Sequence, residues 1–173
     1  MSIAYTMAPG RGDIDQLLFG VAQSLIRDGF RPAGIVQINT ECADAGPCDM
    51  DVKVLPDGPV IRISQTLGRG ARGCRLDPDA LETAVAMVEA ELARDADCLI
   101  VNKFGKHEAE GRGLRPTIAE AVAREIPVLA GLNALNRDAF MEFSGGMAIE
   151  ARPLAADLGA WLRARISERR SAA

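Results

Sequence analysis

Short apolar runs alternate with stretches whose apolar positions recur every three or four residues, almost from one end of the chain to the other. Ile3 to Met7 reads as a strand. Asp13 to Asp28 then reads as a helix, because Ile14, Leu17, Leu18, Val21, Leu25 and Ile26 fall on one helical face and Gly29 stops it. A second strand, "AGIVQIN", follows. Strands alternating with helices produce a mostly parallel sheet with helices on both of its faces.

The pattern changes between Cys42 and Ile63, where two short strands flank Pro56-Asp57-Gly58 and leave no room for a helix. This segment predicts a β-hairpin inserted into the α/β arrangement. A glycine-rich stretch, "LGRGARGCRLDP", then ends at Asp77-Pro78, a favourable N-cap and first helical residue for a helix from Pro78 to about Arg94. "ADCLIVNKFG" is the most apolar strand, and burial on both faces predicts it at the centre of the sheet. Then come the connecting segment "KHEAEGRGL", a helix from Pro116 to Arg124, the strand "IPVLAGL" and a short helix from Asn136 to Phe143. The strand "GMAIEA" and a helix from Pro153 to Arg169 complete the chain.

Composition narrows the picture. At 173 residues and 48% hydrophobic content the chain supports one well-buried core, so residues 1–173 read as a single domain. A net charge of −4 argues against a nucleic-acid surface, which needs a dominant basic face. No basic segment leads into an apolar one at the N-terminus, and no run of about 18 apolar residues occurs, so the expectation is a cytoplasmic protein that makes no use of a membrane. The four cysteines are too few and too irregular for a disulfide framework.

In an open parallel sheet, ligands bind outside the carboxyl ends of the strands. Four loops qualify: "APGRGD", "NKFGKHEAEGRG", "GLNALN" and "GRGARGCR". The first has the outline of a phosphate cradle, with Gly10, Arg11 and Gly12 between strand and helix. The last sets Arg69, Arg72 and Arg75 among glycines, a pattern suited to wrapping an oxyanion with guanidinium forks and backbone N–H groups. Its alternative reading is a solvated loop balancing neighbouring carboxylates. Lys103, Lys106, Arg112 and Arg115 add positive charge after the central strand, diluted by Glu108 and Glu110.

Together, this order of features resembles the small P-loop nucleoside-triphosphatases first described from thermophiles. "GCRLDP" and "VNKFGKHEAEGRGL" are similar to an uncharacterised bacterial offshoot of that family, often found near molybdate-transport genes. The resemblance implies a three-layer P-loop fold and a nucleotide site, but the catalytic positions depart from the pattern. The phosphate-binding Lys is Asp13, the Mg²⁺-binding hydroxyl is Ile14, and the Asp-Glu pair after the central strand is Asn102-Lys103. Gly105, Lys106 and Glu108 match. Asp13 and Lys103 reverse the charges of the residues they replace, so a salt bridge between them is expected to fill the former phosphate site.

His107, the one histidine, lies near Glu108 and Glu110 without a recognised metal spacing, and reads as an exposed loop residue. Cys42 and Cys48 are too widely spaced for a zinc pair. Cys98 should be buried, whereas Cys74, between Gly73 and Arg75, is either an activated thiol or a packing residue. The expected function is binding of a small anion, a nucleotide, phosphate or molybdate-like oxyanion, without efficient hydrolysis. The expected binding set is Gly10, Arg11, Gly12, Arg69, Arg72, Cys74, Arg75, Asn102, Lys103, Lys106 and Glu108, with no catalytic residue, metal or cofactor assigned. The alternatives are an active nucleoside-triphosphatase using substitute basic residues, and a protein-interaction module without a small ligand.

Overall fold

Alternating side chains decide the layering. The computed structural model describes residues 2–10, 12–39, 49–65 and 76–172. The elements run β1 (Ile3–Thr6), α1 (Asp13–Arg27), β2 (Pro32–Asn39), β3 (Met50–Leu55), β4 (Val60–Arg62), α2 (Pro78–Ala93), β5 (Cys98–Val101), α3 (Lys106–Ala109), α4 (Arg115–Ala123), β6 (Val128–Gly131), α5 (Arg137–Phe143), β7 (Ile149–Glu150) and α6 (Ala155–Ala172). A single 3-10 turn, Ala134–Asn136, precedes α5.

The seven strands form one sheet in the order β4-β3-β2-β5-β6-β1-β7. Neighbours from β2 to β7 are parallel, while β3 and β4 form the inserted antiparallel hairpin at the edge. The strand expected at the centre, β5, is the middle strand of the seven. Leu99 and Val101 face one core, shared with Val85 and Val88 of α2 and Ile118 of α4. Cys98 and Ile100 face the other, shared with Leu18 and Leu25 of α1 and Leu162 of α6. Each such buried aliphatic side chain stabilises the fold by about 2 kcal/mol. Two helical layers therefore sandwich the sheet.

Gly34 marks how closely the central strands approach. Its φ is 127°, and a β carbon there would stand 1.9 Å from the carbonyl oxygen of Ile100, so only glycine fits. Asp77 caps α2 as expected, accepting from the N–H groups of Asp79 and Ala80 at 3.1 Å, with Pro78 in the first turn. Helix α6 is tied to α1 by Arg163, whose Nε donates to Asp28 at 3.0 Å and whose Nη2 donates to Ser24 at 2.8 Å.

Three expectations change. The "GMAIEA" run forms a strand of only two residues, because it pairs with β1 alone and ladder contact is limited to Ile149 and Glu150. The segment after β5 contains a short helix, α3, with Glu108 supporting its start. His107 therefore lies on a helix, with its side chain only 11% exposed and Nε2 3.3 Å from Glu82 Oε1. Packing of α3 against α2 covers a histidine that local polarity placed in solvent.

Candidate functional site: the carboxyl edge of the sheet

At the carboxyl edge, β1 leads into a loop that enters α1 through Gly12, whose φ of 85° is a left-handed conformation suited to glycine. The Gly12 carbonyl accepts the first helical bonds, from Asp15 and Gln16. Asp13 does not reach outward to Lys103. Its Oδ2 accepts the N–H of Gly10 at 3.0 Å, so the first-turn carboxylate folds back over the loop. The carboxylate also stands in the first turn of α1, where a helix N-terminus favours negative charge. Lys103 is exposed and makes no ion pair among the described residues. The salt bridge expected between these two residues does not form, because Asp13 has a nearer donor within its own turn.

The residue that answers Asn102 is Asp15. Asn102 Nδ2 donates to Asp15 Oδ1 at 2.7 Å, and Asn102 Oδ1 accepts the Gln37 N–H at 2.9 Å. Both Asn102 and Asp15 are 3% exposed. The carboxamide thus joins α1, β2 and β5 with both of its polar atoms. Ile14 packs into the core beneath α1. Thr6, at the end of β1, is fully buried, and its hydroxyl has no hydrogen-bond partner among the described residues.

After β5, Glu108 is buried and turned inward. Its Oε2 accepts the Gly105 N–H at 2.9 Å and its Oε1 the Leu114 N–H at 3.4 Å, so the carboxylate organises the turn around α3. Lys106 is exposed, 3.6 Å from Glu110. Arg112 also bonds Glu110, and that contact is the leading cause holding the Glu110 carboxyl below its usual range. Arg115 lies over the Phe143 ring, 4.6 Å from its centroid, and donates to the Glu108 carbonyl at 3.3 Å. Among the described residues, no three His, Cys, Asp or Glu side chains converge as a metal site. Cys98 is buried, and burial pushes its thiol up.

The carboxyl edge therefore gathers Gly10, Gly12, Asn102 and Lys103 near the start of α1, with Lys106 and Glu108 on the neighbouring turn. Arg11, Arg69, Arg72, Cys74 and Arg75 lie outside the described residues, as do Cys42 and Cys48. Sequence reasoning passed over Asp15 and Thr6. Asp15 had left one signal, an acid on the same helical stripe as Leu18, Ala22 and Leu25, all of them buried.

This architecture, a mostly parallel seven-stranded sheet between helical layers with a loop leading into α1 at the carboxyl edge, is the fold of P-loop nucleoside-triphosphatases. The solution structure of a human cancer-related nucleoside triphosphatase superposes with a TM-score of 0.59 over 100% of both chains, at 17% identity. The chain belongs to the family described as "Protein of unknown function (DUF2478)", which it matches over residues 3–161. It is also 42% identical over 135 residues to the molybdenum import ATP-binding protein ModC 2 of Bradyrhizobium diazoefficiens. That match covers 78% of this chain and 15% of the relative's length. No helix among the described residues is long and apolar enough to cross a membrane.

Proposed function

We propose that this protein is a non-hydrolysing descendant of P-loop nucleoside-triphosphatases that binds a small anion at the carboxyl edge of its sheet. The observation that carries the loss of hydrolysis is the Asp13 carboxylate on the Gly10 N–H. An incoming phosphate would have to displace a negative group that already holds that donor. A magnesium triphosphate does not fit the residues present: Ile14 is apolar and buried, and Asn102 has spent both polar atoms on Asp15 and Gln37. Lys103 brings no carboxylate to take a proton from an attacking water.

Binding without hydrolysis needs less machinery. Lys103 offers an exposed cation on this edge, and Arg11 with the arginines of the glycine-rich segment, Arg69, Arg72 and Arg75, would complete the charge. A nucleotide or a molybdate-like oxyanion suits that set. Similarity to part of a molybdenum import ATP-binding protein favours an accessory role in molybdenum handling. Thermal unfolding with ATP, GTP and molybdate, each with and without Mg²⁺, tests the proposal, since a ligand of the folded state raises the melting temperature. Magnesium-dependent phosphate release at ordinary enzymatic rates would overturn it.

A second reading is favoured by one observation. Leu135, in the loop after β6, is 91% exposed on this same edge, and the matching segment of the import protein is one part of a much longer chain. A protein-docking module would show no thermal shift with any of the three ligands.

A further inference from the structure

The opposite edge of the sheet carries a second concentration of charge. Helices that return antiparallel to the strands bring their carboxyl ends to this amino edge, where partial negative charge favours arginine. Arg31, Arg94, Arg124, Arg169 and Arg170 line a hollow of about 330 Å³ there. Among the described residues, two carboxylates, Asp95 and Asp97, line it with them, in a chain whose net charge is −4.

Helix capping accounts for one of the five. Arg124 donates to the Leu92 carbonyl at the end of α2, at 2.8 Å, and pairs with Glu120 at 3.3 Å. Arg170 is held by Asp97 at 2.6 Å and lies over the Phe30 ring. The other Asp97 oxygen takes the backbone N–H of Arg31 at 2.8 Å, so both oxygens of this carboxylate have a donor. Arg94 bonds Glu91 at 2.6 Å. Arg31, 54% exposed, pairs with the same Glu91 at the longer distance of 3.5 Å, and Arg169 makes no ion pair among the described residues. A guanidinium carries five N–H donors, and these contacts use one side-chain nitrogen of each paired arginine. Among the described residues, donors therefore outnumber the acceptors around the hollow, even with exposed Asp95 acting against an anion.

We propose that this hollow binds a tetrahedral oxyanion carrying two or more charges, gripped by Arg31, Arg94 and Arg169, with Arg124 and Arg170 holding the walls. The shared chemistry is that of inorganic phosphate, molybdate and the phosphate groups of a nucleotide. Planar guanidinium forks match the paired oxygens of such ions, and a hollow of this size admits them. The site is separate from the carboxyl edge, because four-residue strands at about 3.3 Å per residue keep the two edges roughly 13 Å apart. Exposed charges are screened by salt, so binding should weaken as ionic strength rises.

The test is amide chemical-shift titration of the isotope-labelled full chain with inorganic phosphate, molybdate and ATP in separate arms. Saturable shifts are expected at Gly29 and Ala96. Their dissociation constant should weaken at least tenfold in Arg31→Ala/Arg169→Ala and stay unchanged in Lys103→Ala. Arg31→Lys/Arg169→Lys, which keeps charge but loses the fork, should fall between. Response to phosphate and molybdate identifies a free oxyanion, and response to ATP alone identifies a nucleotide. Absence of saturable shifts at Gly29 and Ala96 in all three arms would overturn the proposal. So would shifts that sodium chloride reproduces at equal ionic strength, or that persist in the alanine variant. Failure of the carboxyl-edge reading is separately visible, as silence at Gly10 and Gly12 and indifference to Lys103→Ala.

Discussion

Asn102 at the end of β5 and Asp15 in the first turn of α1 are joined by a 2.7 Å hydrogen bond in which the carboxamide donates and the carboxylate accepts. Both are buried, and the same carboxamide takes the Gln37 N–H. A buried carboxylate is costly unless hydrogen-bonded and well placed. Here the helix N-terminus favours the negative charge while Asn102 supplies a donor. The pair thus couples one helix to two strands directly beneath the loop.

Removing Asn102 takes a donor from the buried Asp15 carboxylate and an acceptor from the half-buried Gln37 N–H. Asn102→Ala should lower stability by about 3 kcal/mol, read from urea unfolding followed by fluorescence of Trp161, the single tryptophan. Asn102→Asp should be worse near neutral pH, since it sets two carboxylates in contact. The exchange variant Asp15→Asn/Asn102→Asp should recover most of the loss. An Asn102→Ala protein as stable as the parent would refute the coupling role.

Asp13→Ala frees the Gly10 N–H and removes a negative charge from the loop. Affinity for inorganic phosphate or ATP, measured by calorimetry, should rise about tenfold, the equivalent of about 1.4 kcal/mol. Asp13→Lys/Ile14→Thr should add magnesium-dependent ATP binding. If neither variant binds an anion more tightly than the parent, the loop is not the anion site.

Glu108 separates a turn-forming role from a ligand-binding one. Glu108→Ala should destabilise the protein by about 2 to 3 kcal/mol through the unpaired N–H groups of Gly105 and Leu114, whereas Glu108→Gln retains an acceptor and should lose less. Loss of anion binding in Glu108→Gln with an unchanged melting temperature would place this carboxylate at the ligand instead.

Tyr5 is the only tyrosine, so tyrosinate absorbance reports on it alone. Burial first, and then its hydrogen bond to Glu150 at 2.9 Å, raise its pKa above the ordinary 10.0, while the Nε of Arg137, donating at 3.1 Å, opposes the rise. A raised folded pKa gives stability that is complete below pH 10.0 and is lost as pH climbs through the folded value. Alkaline titration should show a midpoint above that of free tyrosine, with falling stability in the same window. Tyr5→Phe should abolish that part of the fall. A midpoint at or below 10.0 would contradict the burial argument.

Much of the architecture was legible because its signals are local. Period-two alternation in "CLIV" sends neighbours to opposite cores, helical spacing in α1 gathers Leu18, Val21 and Leu25, and Asp77-Pro78 starts α2. The misread details share a cause. Asp13 and Lys103 have complementary charges, but a carboxylate at a helix start meets its own turn's N–H before any lysine across the edge. His107 looks like a loop residue until α2 brings Glu82 against it.

The sequence by itself determined which segments become strands and helices, and that the sheet is mostly parallel with an inserted hairpin. Those properties depend on residue spacing and on the chemistry of single side chains. Only the tertiary structure decided which groups meet: Asp15 with Asn102, 87 residues apart, and five arginines from four segments of the chain around one hollow. Such contacts follow from strand order and helix docking, and no local pattern specifies them, because each partner alone is an ordinary polar residue in its own element.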